Sequence, residues 1–191
     1  MSMAFSPADK DGLLLTAREA ITARFQGREP RFPEYGPVAE GQYGAFVTLH
    51  KSTQMGGSLL RGCIGRMSSS LPLRITIRDM ALAAAFEDHR FPSLTEGELA
   101  SIDIEISVLS PFEPCSPGDV VPGNDGVYLT KGYRSGVFLP QVASEQGWDR
   151  YELLEQLCAK AGLEGGAYKT AGASLFRFTA TVFGEADRRR P

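Results

Sequence analysis

The chain has 191 residues, of which 42% are hydrophobic and 23% charged, and its formal net charge is −3. This length suits one domain with a substantial core, and the acidic balance argues against a general nucleic-acid binder, which carries a basic surface stripe. The apolar runs are far shorter than the roughly 20 residues that span a bilayer, so no membrane association is expected.

The first half of the chain predicts a helix, a β-hairpin and a second helix. Ser6 followed by Pro7 is typical of a helix start, and glycine is typical of a helix end. Alternating apolar and polar residues predict the hairpin strands. These elements are a helix from Pro7 to about Gly27, strands over residues 45–50 and 58–67 joined by a polar turn at 52–57, and a helix from Pro72 to about Asp88.

The second half predicts more strands and one long helix. They are a capped turn at 95–98, a strand over 102–108, a proline-rich loop over 110–125, a hairpin of 127–131 and 136–139 that ends at Pro140, a helix from Asp149 to Gly162 and a last strand over 174–183. Hairpins, with helices not strictly interleaved, predict an α+β fold with a largely antiparallel sheet flanked by helices.

We expect a single domain over residues 1–191, with its core at about 10–184. A short N-terminal lead precedes this core, and a basic tail at 188–190 follows it. The loop at 110–125 could separate a smaller second lobe, although strands on both sides of it need partners.

The segment Leu59–Arg66 holds the most distinctive local pattern. Cys63 lies between Gly62 and Gly65, two residues after Arg61. Glycine weakens a strand interior, so two of them indicate a bulge or a close approach by another group. A neighbouring arginine favours the thiolate, which is the nucleophilic form of cysteine. The segment is therefore a candidate reactive site.

Side chains alternate between the faces of a strand, so the candidate residues can be sorted by face. If the strands are regular neighbours, one polar face collects Thr48, His50, Arg61, Cys63, Glu105 and Ser107. Cys63 is then the candidate nucleophile, His50 or Glu105 the proton acceptor, and Arg61 an anion clamp or thiolate stabiliser. A bulge at either glycine would break this alternation. The alternative is a solvated sheet face on which Cys63 is a small, half-buried apolar residue.

Two further clusters offer candidate ligand-binding side chains. Asp88 and Arg90 follow the second helix, where they could line a cleft. The alternative for them is a local ion pair in a turn. Gln141 could present its amide to a ligand, although a turn role explains it nearly as well.

Cysteine and histidine usage limits the chemistry further. Three cysteines and no evident secretory signal favour a reducing cytoplasm over a disulfide framework. With only two histidines and no Cys-x-x-Cys pair, no metal site is predicted, and no cofactor is assigned. The sequence also lacks a phosphate-binding glycine loop and a Gly-x-Ser-x-Gly elbow, which disfavours nucleotide binding and serine hydrolysis.

The hexapeptide at 60–65, Leu-Arg-Gly-Cys-Ile-Gly, resembles the signature of the AMMECR domain family. Other segments agree in order and spacing, namely 46–51, 83–88, 90–92, 104–110, 136–142 and 158–163. The resemblance extends over about residues 10–184. It implies an antiparallel sheet flanked by helices, plus a smaller lobe, in a cytoplasmic prokaryotic protein.

The resemblance implies little about function, because no reaction is firmly tied to the family. Its prokaryotic relatives are linked to a Memo-like, dioxygenase-type protein and to a radical-SAM protein, which implies a shared pathway and these two as partners. Three hypotheses follow: an enzyme or enzyme component that uses Cys63, a non-catalytic adaptor for a partner protein or small anionic ligand, and a nucleic-acid-associated regulator. The acidic balance makes the third the weakest.

Overall fold

The computed structural model describes residues 4–53 and 57–189, which contain four α-helices and eight strands. The helices are α1 (Pro7–Phe25), α2 (Leu73–Phe86), α3 (Pro140–Gln146) and α4 (Arg150–Lys160). The strands are β1 (Ala45–Ser52), β2 (Ser58–Arg66), β3 (Ile102–Leu109), β4 (Glu113–Pro114), β5 (Gly126–Lys131), β6 (Arg134–Phe138), β7 (Ala173–Phe178) and β8 (Ala180–Gly184). None of the helices in this part of the chain combines the length and apolar character that crossing a bilayer requires.

The described chain divides into two compact units, each with its own sheet and hydrophobic core. The first unit comprises residues 4–109 and 181–189, and its strand order is β2-β1-β3-β8. The second comprises residues 110–180, with strand order β4-β7-β5-β6. The hairpins β1–β2 and β5–β6 are antiparallel, as are the β1–β3 and β5–β7 pairs. The predicted α+β fold class is confirmed.

The core of the first unit lies between α1, α2 and one face of the sheet. The α1 helix starts with the predicted cap, in which Asp9 N–H donates to Ser6 Oγ at 3.2 Å. Strand β1 alternates as predicted. Its fully buried side chains are Ala45, Val47 and Leu49, and its half-buried ones are Phe46, Thr48 and His50. The polar residues of β1 therefore lie on the sheet face that points away from the core.

The second unit packs α3 and α4 against its own sheet. The predicted helix that follows Asp149 starts with a capping box, in which Glu152 N–H donates to Asp149 Oδ1 at 2.8 Å. Leu153, Leu154 and Leu157 are buried on the inner face of this helix, as their spacing predicts. These leucines belong to a second hydrophobic core.

The predicted strand over 174–183 is wrong as one element, because it is divided between the two sheets. The division falls at Thr179, whose N–H donates to Ser110 Oγ and whose carbonyl accepts from Ser110 N–H, both at 2.9 Å. Residue 179 thus leaves the ladder, and the buried side chains on its two sides, Phe178 and Phe183, are an odd number of residues apart. Pro140 likewise starts α3 instead of only ending a strand, because proline suits the first helical position.

Two predicted features lie outside the described residues. These are the centre of the polar turn, at residues 54–56, and the side chains of the basic run at 188–190.

Gly62 and Gly65 are explained by close packing within the first unit. A Cβ at Gly62 would collide with the backbone carbonyl oxygen of Ala84 on α2. A Cβ at Gly65 would collide with the ring of Phe46 on β1. The glycines allow β2 to lie directly against its neighbours, so the predicted close approach is by groups of the fold itself.

We expect Gly62→Ala to lower the free energy of unfolding by about 3 kcal/mol, because the opposing atom belongs to a helix backbone and cannot move aside. Gly97→Ala is the matched control, since a Cβ there meets nothing within 4 Å. Urea denaturation followed by circular dichroism measures both. Equal stability of the two variants would contradict the close approach.

Candidate functional site

Cys63 lies on β2, an edge strand of the first sheet, directly opposite Thr48 of β1. The Thr48 hydroxyl donates to the cysteine sulfur, with 3.3 Å between Oγ1 and Sγ. Thr48 is also opposite Glu105 of β3, so the three residues form one row across three strands. Directly paired residues project to the same face of a sheet. The row therefore lies on the face that points away from the core.

His50 lies two residues beyond Thr48 on the same face of β1. Its Nε2 atom is 3.8 Å from Glu105 Oε1, which is too long for a hydrogen bond. Within residues 4–53 and 57–189, this buried nitrogen has no hydrogen-bond partner. Buried polar atoms are bonded in the large majority of cases, so His50 is an exception that calls for an explanation.

The structure thus brings five of the six expected residues to one surface. We call this surface the polar face; it consists of Thr48, His50, Cys63, Glu105 and Ser107. The absent sixth residue is Arg61.

A β-bulge separates Arg61 from the polar face. Cys63 pairs with Thr48 and Gly62 with Leu49, but the next pair is Leu60 with His50, which leaves Arg61 as the extra residue. The predicted regular alternation fails here. The Arg61 side chain forms two bonds to Glu98, from Nε to Oε1 at 3.0 Å and from Nη2 to Oε2 at 3.1 Å. The expected grouping of Arg61 with Cys63 is therefore corrected.

Glu98 is a shared acceptor at this end of the sheet. Besides Arg61 it accepts from Lys51 Nζ at 3.3 Å, and it completes the predicted capping box with Thr95. The bond from Arg61 is the main reason that the pKa of Glu98 falls from about 4.5 to about 2. Glu98 therefore stays ionised near neutral pH and has a structural role.

The side chains of Asp88 and Arg90 are hydrogen-bonded to the backbone of Cys63. The buried Asp88 carboxylate accepts from Cys63 N–H at 2.9 Å and from Arg90 Nη2 at 2.7 Å. Arg90 Nη2 also donates to the Cys63 carbonyl oxygen at 3.1 Å. We call this arrangement the edge clamp, formed by Asp88 and Arg90 on the outer side of β2. The ion pair expected from the sequence exists, and it also holds the candidate nucleophile in place.

The electrostatics of the edge clamp follow from the same contacts. The Arg90 side chain holds the pKa of Asp88 well below its usual range, and the Cys63 amide adds to this effect in spite of burial. The Arg90 side chain itself is about half exposed. The buried Asp88 carboxylate is thus paired with the Arg90 guanidinium group, part of which is exposed to solvent next to the backbone of Cys63.

Gln141 lies in the second unit, at an exposed position in the first turn of α3. The structure does not join it to the polar face. Within the described ranges there is no cluster of three or more histidine, cysteine, aspartate or glutamate residues suited to a metal ion.

Sequence reasoning missed two contacts that shape the site. Asp88 is 25 residues from Cys63 along the chain, and no periodicity links a turn residue to the amide of a distant strand. The capping-box spacing identifies Glu98 as a cap, but not as the partner of Arg61.

Comparison with known proteins shows which family this chain is similar to. A family model described as AMMECR1 matches residues 14–183. A protein of Methanothermobacter thermautotrophicus is 38% identical over 96% of this chain and 99% of its own length. One of Thermococcus gammatolerans is 38% identical over 94% of this chain and 91% of its own. The crystal structure of the uncharacterized protein PH0010 from Pyrococcus horikoshii has a TM-score of 0.78 and 34% identity, covering 96% of this chain and 95% of that one.

We expect Asp88→Asn to lower the free energy of unfolding by about 2–4 kcal/mol, because it leaves the Arg90 cation and the Cys63 amide without their buried anion. The matched control is Asp79→Asn, which breaks the more exposed pair between Asp79 Oδ1 and Arg78 Nη2 at 2.7 Å and should cost about 0–1 kcal/mol. Chemical denaturation at neutral pH measures both. Similar losses would contradict a special role for the edge clamp.

The lowered pKa of Glu98 predicts that the free energy of unfolding depends on pH. Its folded pKa is lowered, so its stabilising contribution is complete above pH 4.5 and is lost as the pH falls toward about 2. We expect Glu98→Gln to reduce the free energy of unfolding by about 1–2 kcal/mol at neutral pH and to match the unsubstituted protein near pH 2. Glu96→Gln, an exposed position on the same turn, is the control. A difference that does not vary with pH would exclude this assignment.

Proposed function

Because the chain belongs to the AMMECR1 family and carries Cys63 on its polar face, we propose that it is an enzyme, or a component of one, that uses Cys63 as a nucleophile. The family resemblance drawn from the sequence motifs is confirmed by the family match and the relatives. The cysteine chemistry is our proposal.

The observation that carries the proposal is the hydrogen bond from Thr48 Oγ1 to Cys63 Sγ. A hydroxyl donor to sulfur stabilises negative charge on the sulfur, as hydrogen bonds to a charged group generally do. Arg90, which donates to the carbonyl oxygen of the same residue, is already paired with the Asp88 carboxylate, so the proposal depends on the Thr48 hydroxyl. Cys63 itself is half-buried, and the proposal requires that a small substrate reaches its sulfur.

His50 supplies the most suitable proton acceptor. Its Nε2 atom has no hydrogen-bond partner in the described structure and lies on the same face as Cys63. In the proposed step Cys63 gives its proton to His50 or, as an alternative, to Glu105. The sulfur then bonds to an electrophilic carbon of the substrate, and the leaving group departs with the bonding electrons and takes up a proton. The edge clamp positions Cys63 through its backbone only.

The second candidate is a non-catalytic module that binds a partner protein or a small anionic ligand. The packing of Gly62 and Gly65 favours it, because close approach within the fold explains both glycines without any substrate. Arg90, about half exposed beside Cys63, is then the cation that contacts an anion. Arg61 is unsuited to that role because its side chain is only 10% exposed, against 48% for Arg90, although each is paired with an acid.

The cellular setting is also proposed, on the family resemblance alone. We place the protein in the cytoplasm, in a pathway with a Memo-like, dioxygenase-type protein and a radical-SAM protein. No membrane and no nucleic acid enters the proposal.

Selective alkylation tests the reactive thiol. We expect iodoacetamide at neutral pH to modify Cys63 at least about tenfold faster than Cys115, because thiolate formation limits the rate. Cys115 is the internal control: it is also half-buried, and burial raises the pKa of its thiol. Mass spectrometry of tryptic peptides after brief labelling of the folded chain gives both rates.

A matched pair of variants separates the two candidates. Thr48→Val removes the hydroxyl at nearly constant volume and should slow labelling of Cys63 about threefold or more, whereas Thr130→Val in the second unit should not. If Cys63 reacts no faster than Cys115, the nucleophile proposal fails and the binding module is favoured.

A further inference from the structure

A cleft of about 440 Å³ opens on the second unit, and no residue of the polar face lines it. Its lining includes Arg150, Tyr151, Leu154, Tyr168 and Lys169. The volume falls within the range of small-molecule sites. We propose that this cleft binds a small organic anion that carries an aromatic ring.

Most of the lining comes from the first turn of α4 and from the turn that follows Gly166. The capping box at Asp149 fixes the start of α4 and places Tyr151 and Leu154, three residues apart, on one side of the helix. The other wall follows Gly166, which has a left-handed φ of 74° and donates its N–H to Glu155 Oε2 at 3.0 Å. That turn carries Tyr168 and Lys169. Both walls are thus tied to α4.

The apolar part of the cleft suits a flat ring. Leu154 and Tyr168 are buried and form its base, whereas Tyr151 is 62% exposed. Large aromatic side chains that stay exposed beside a concave apolar surface are typical of sites for rings, which stack on them. The Lys169 ammonium lies 5.0 Å from the Tyr168 ring centre and 5.9 Å from that of Tyr151, so both rings surround one cation.

The charge of the cleft favours an anion. Among the described residues, no carboxylate lies within 4 Å of Lys169 Nζ, and contact with Tyr168 raises the pKa of this lysine. Arg150 adds a second cation, fixed by its Nε bond to the Val120 carbonyl oxygen at 2.6 Å. Within the described part of the chain, the lining also contains one carboxylate, that of Asp149, which caps α4 by accepting from the Glu152 amide. The Glu155 carboxylate is outside the lining and accepts from the Gly166 amide. With two cations and one carboxylate, the lining has a net positive charge next to its apolar surface.

The test is an NMR titration of the ¹⁵N-labelled full chain with four probes. Phenylphosphate and phenylacetate carry a ring and an anion, benzyl alcohol has the ring alone, and inorganic phosphate has the anion alone. We expect at least one of the two ring-bearing anions to shift amide signals around the cleft with a Kd of about 1 mM. The other two probes should bind about tenfold more weakly or not at all.

Variants assign the affinity to particular side chains. Lys169→Gln should weaken binding of the ring-bearing anion about tenfold, and Tyr151→Ala about fivefold. The matched controls lie in the same unit outside the cleft: Lys160→Gln, whose ammonium lies 4.2 Å from the Phe138 ring centre, and Tyr133→Ala, which is 99% exposed. Both controls should stay within about twofold.

Three results would overturn the proposal. They are no saturable shift at the cleft up to about 10 mM of either ring-bearing anion, equal binding by benzyl alcohol or inorganic phosphate, and unchanged affinity in Lys169→Gln. In each variant, the amide signals from residues outside the cleft show whether the chain is folded. Loss of folding is therefore distinguished from loss of binding.

Discussion

A buried carboxylate needs compensation for the water that it loses, and Asp88 obtains it from the Arg90 guanidinium and the Cys63 amide. The edge clamp uses both backbone polar groups of Cys63, because the carbonyl oxygen is bonded to Arg90. An unprotected strand edge exposes such groups to pairing with another chain. At Cys63 the clamp closes this edge and fixes the backbone from which the sulfur projects. The position of the thiol therefore depends on an ion pair from a turn beyond α2.

The bulge in β2 divides the charged groups into separate sets. Arg61 is bonded to Glu98, and Arg90 to Asp88, so each cation has its own acid. Their partners lower the pKa of both carboxyl groups, which keeps them ionised and unsuited to proton transfer near neutral pH. On the polar face, His50 and Glu105 are 3.8 Å apart. In the proposed function, His50 and Glu105 are therefore the candidates for proton transfer to or from Cys63.

The features that could be predicted from the sequence are those set by residues close together in the chain. The capping boxes at Ser6, Thr95 and Asp149 and the alternation of β1 and β3 are present, since each needs only neighbouring residues. The bulge at Arg61 could not be placed, because it is defined by the register between two strands. No sequence pattern near Asp88 or Cys63 indicates the hydrogen bond between them, since they are 25 residues apart. The division of the last strand depends on Ser110, a residue far along the chain from Thr179.

What packing leaves unexplained is the sulfur itself. Close approach of α2 and Phe46 accounts for Gly62 and Gly65, and the edge clamp accounts for Asp88 and Arg90. The clamp, however, contacts only the backbone of Cys63, so it would hold any residue at that position equally well. Within residues 4–53 and 57–189, the side chain of Cys63 accepts a hydrogen bond from the Thr48 hydroxyl. Cys63 shares its half-buried face with His50, whose Nε2 atom has no hydrogen-bond partner in the described structure. Our proposal of thiol chemistry rests on this histidine and on the Thr48 hydroxyl.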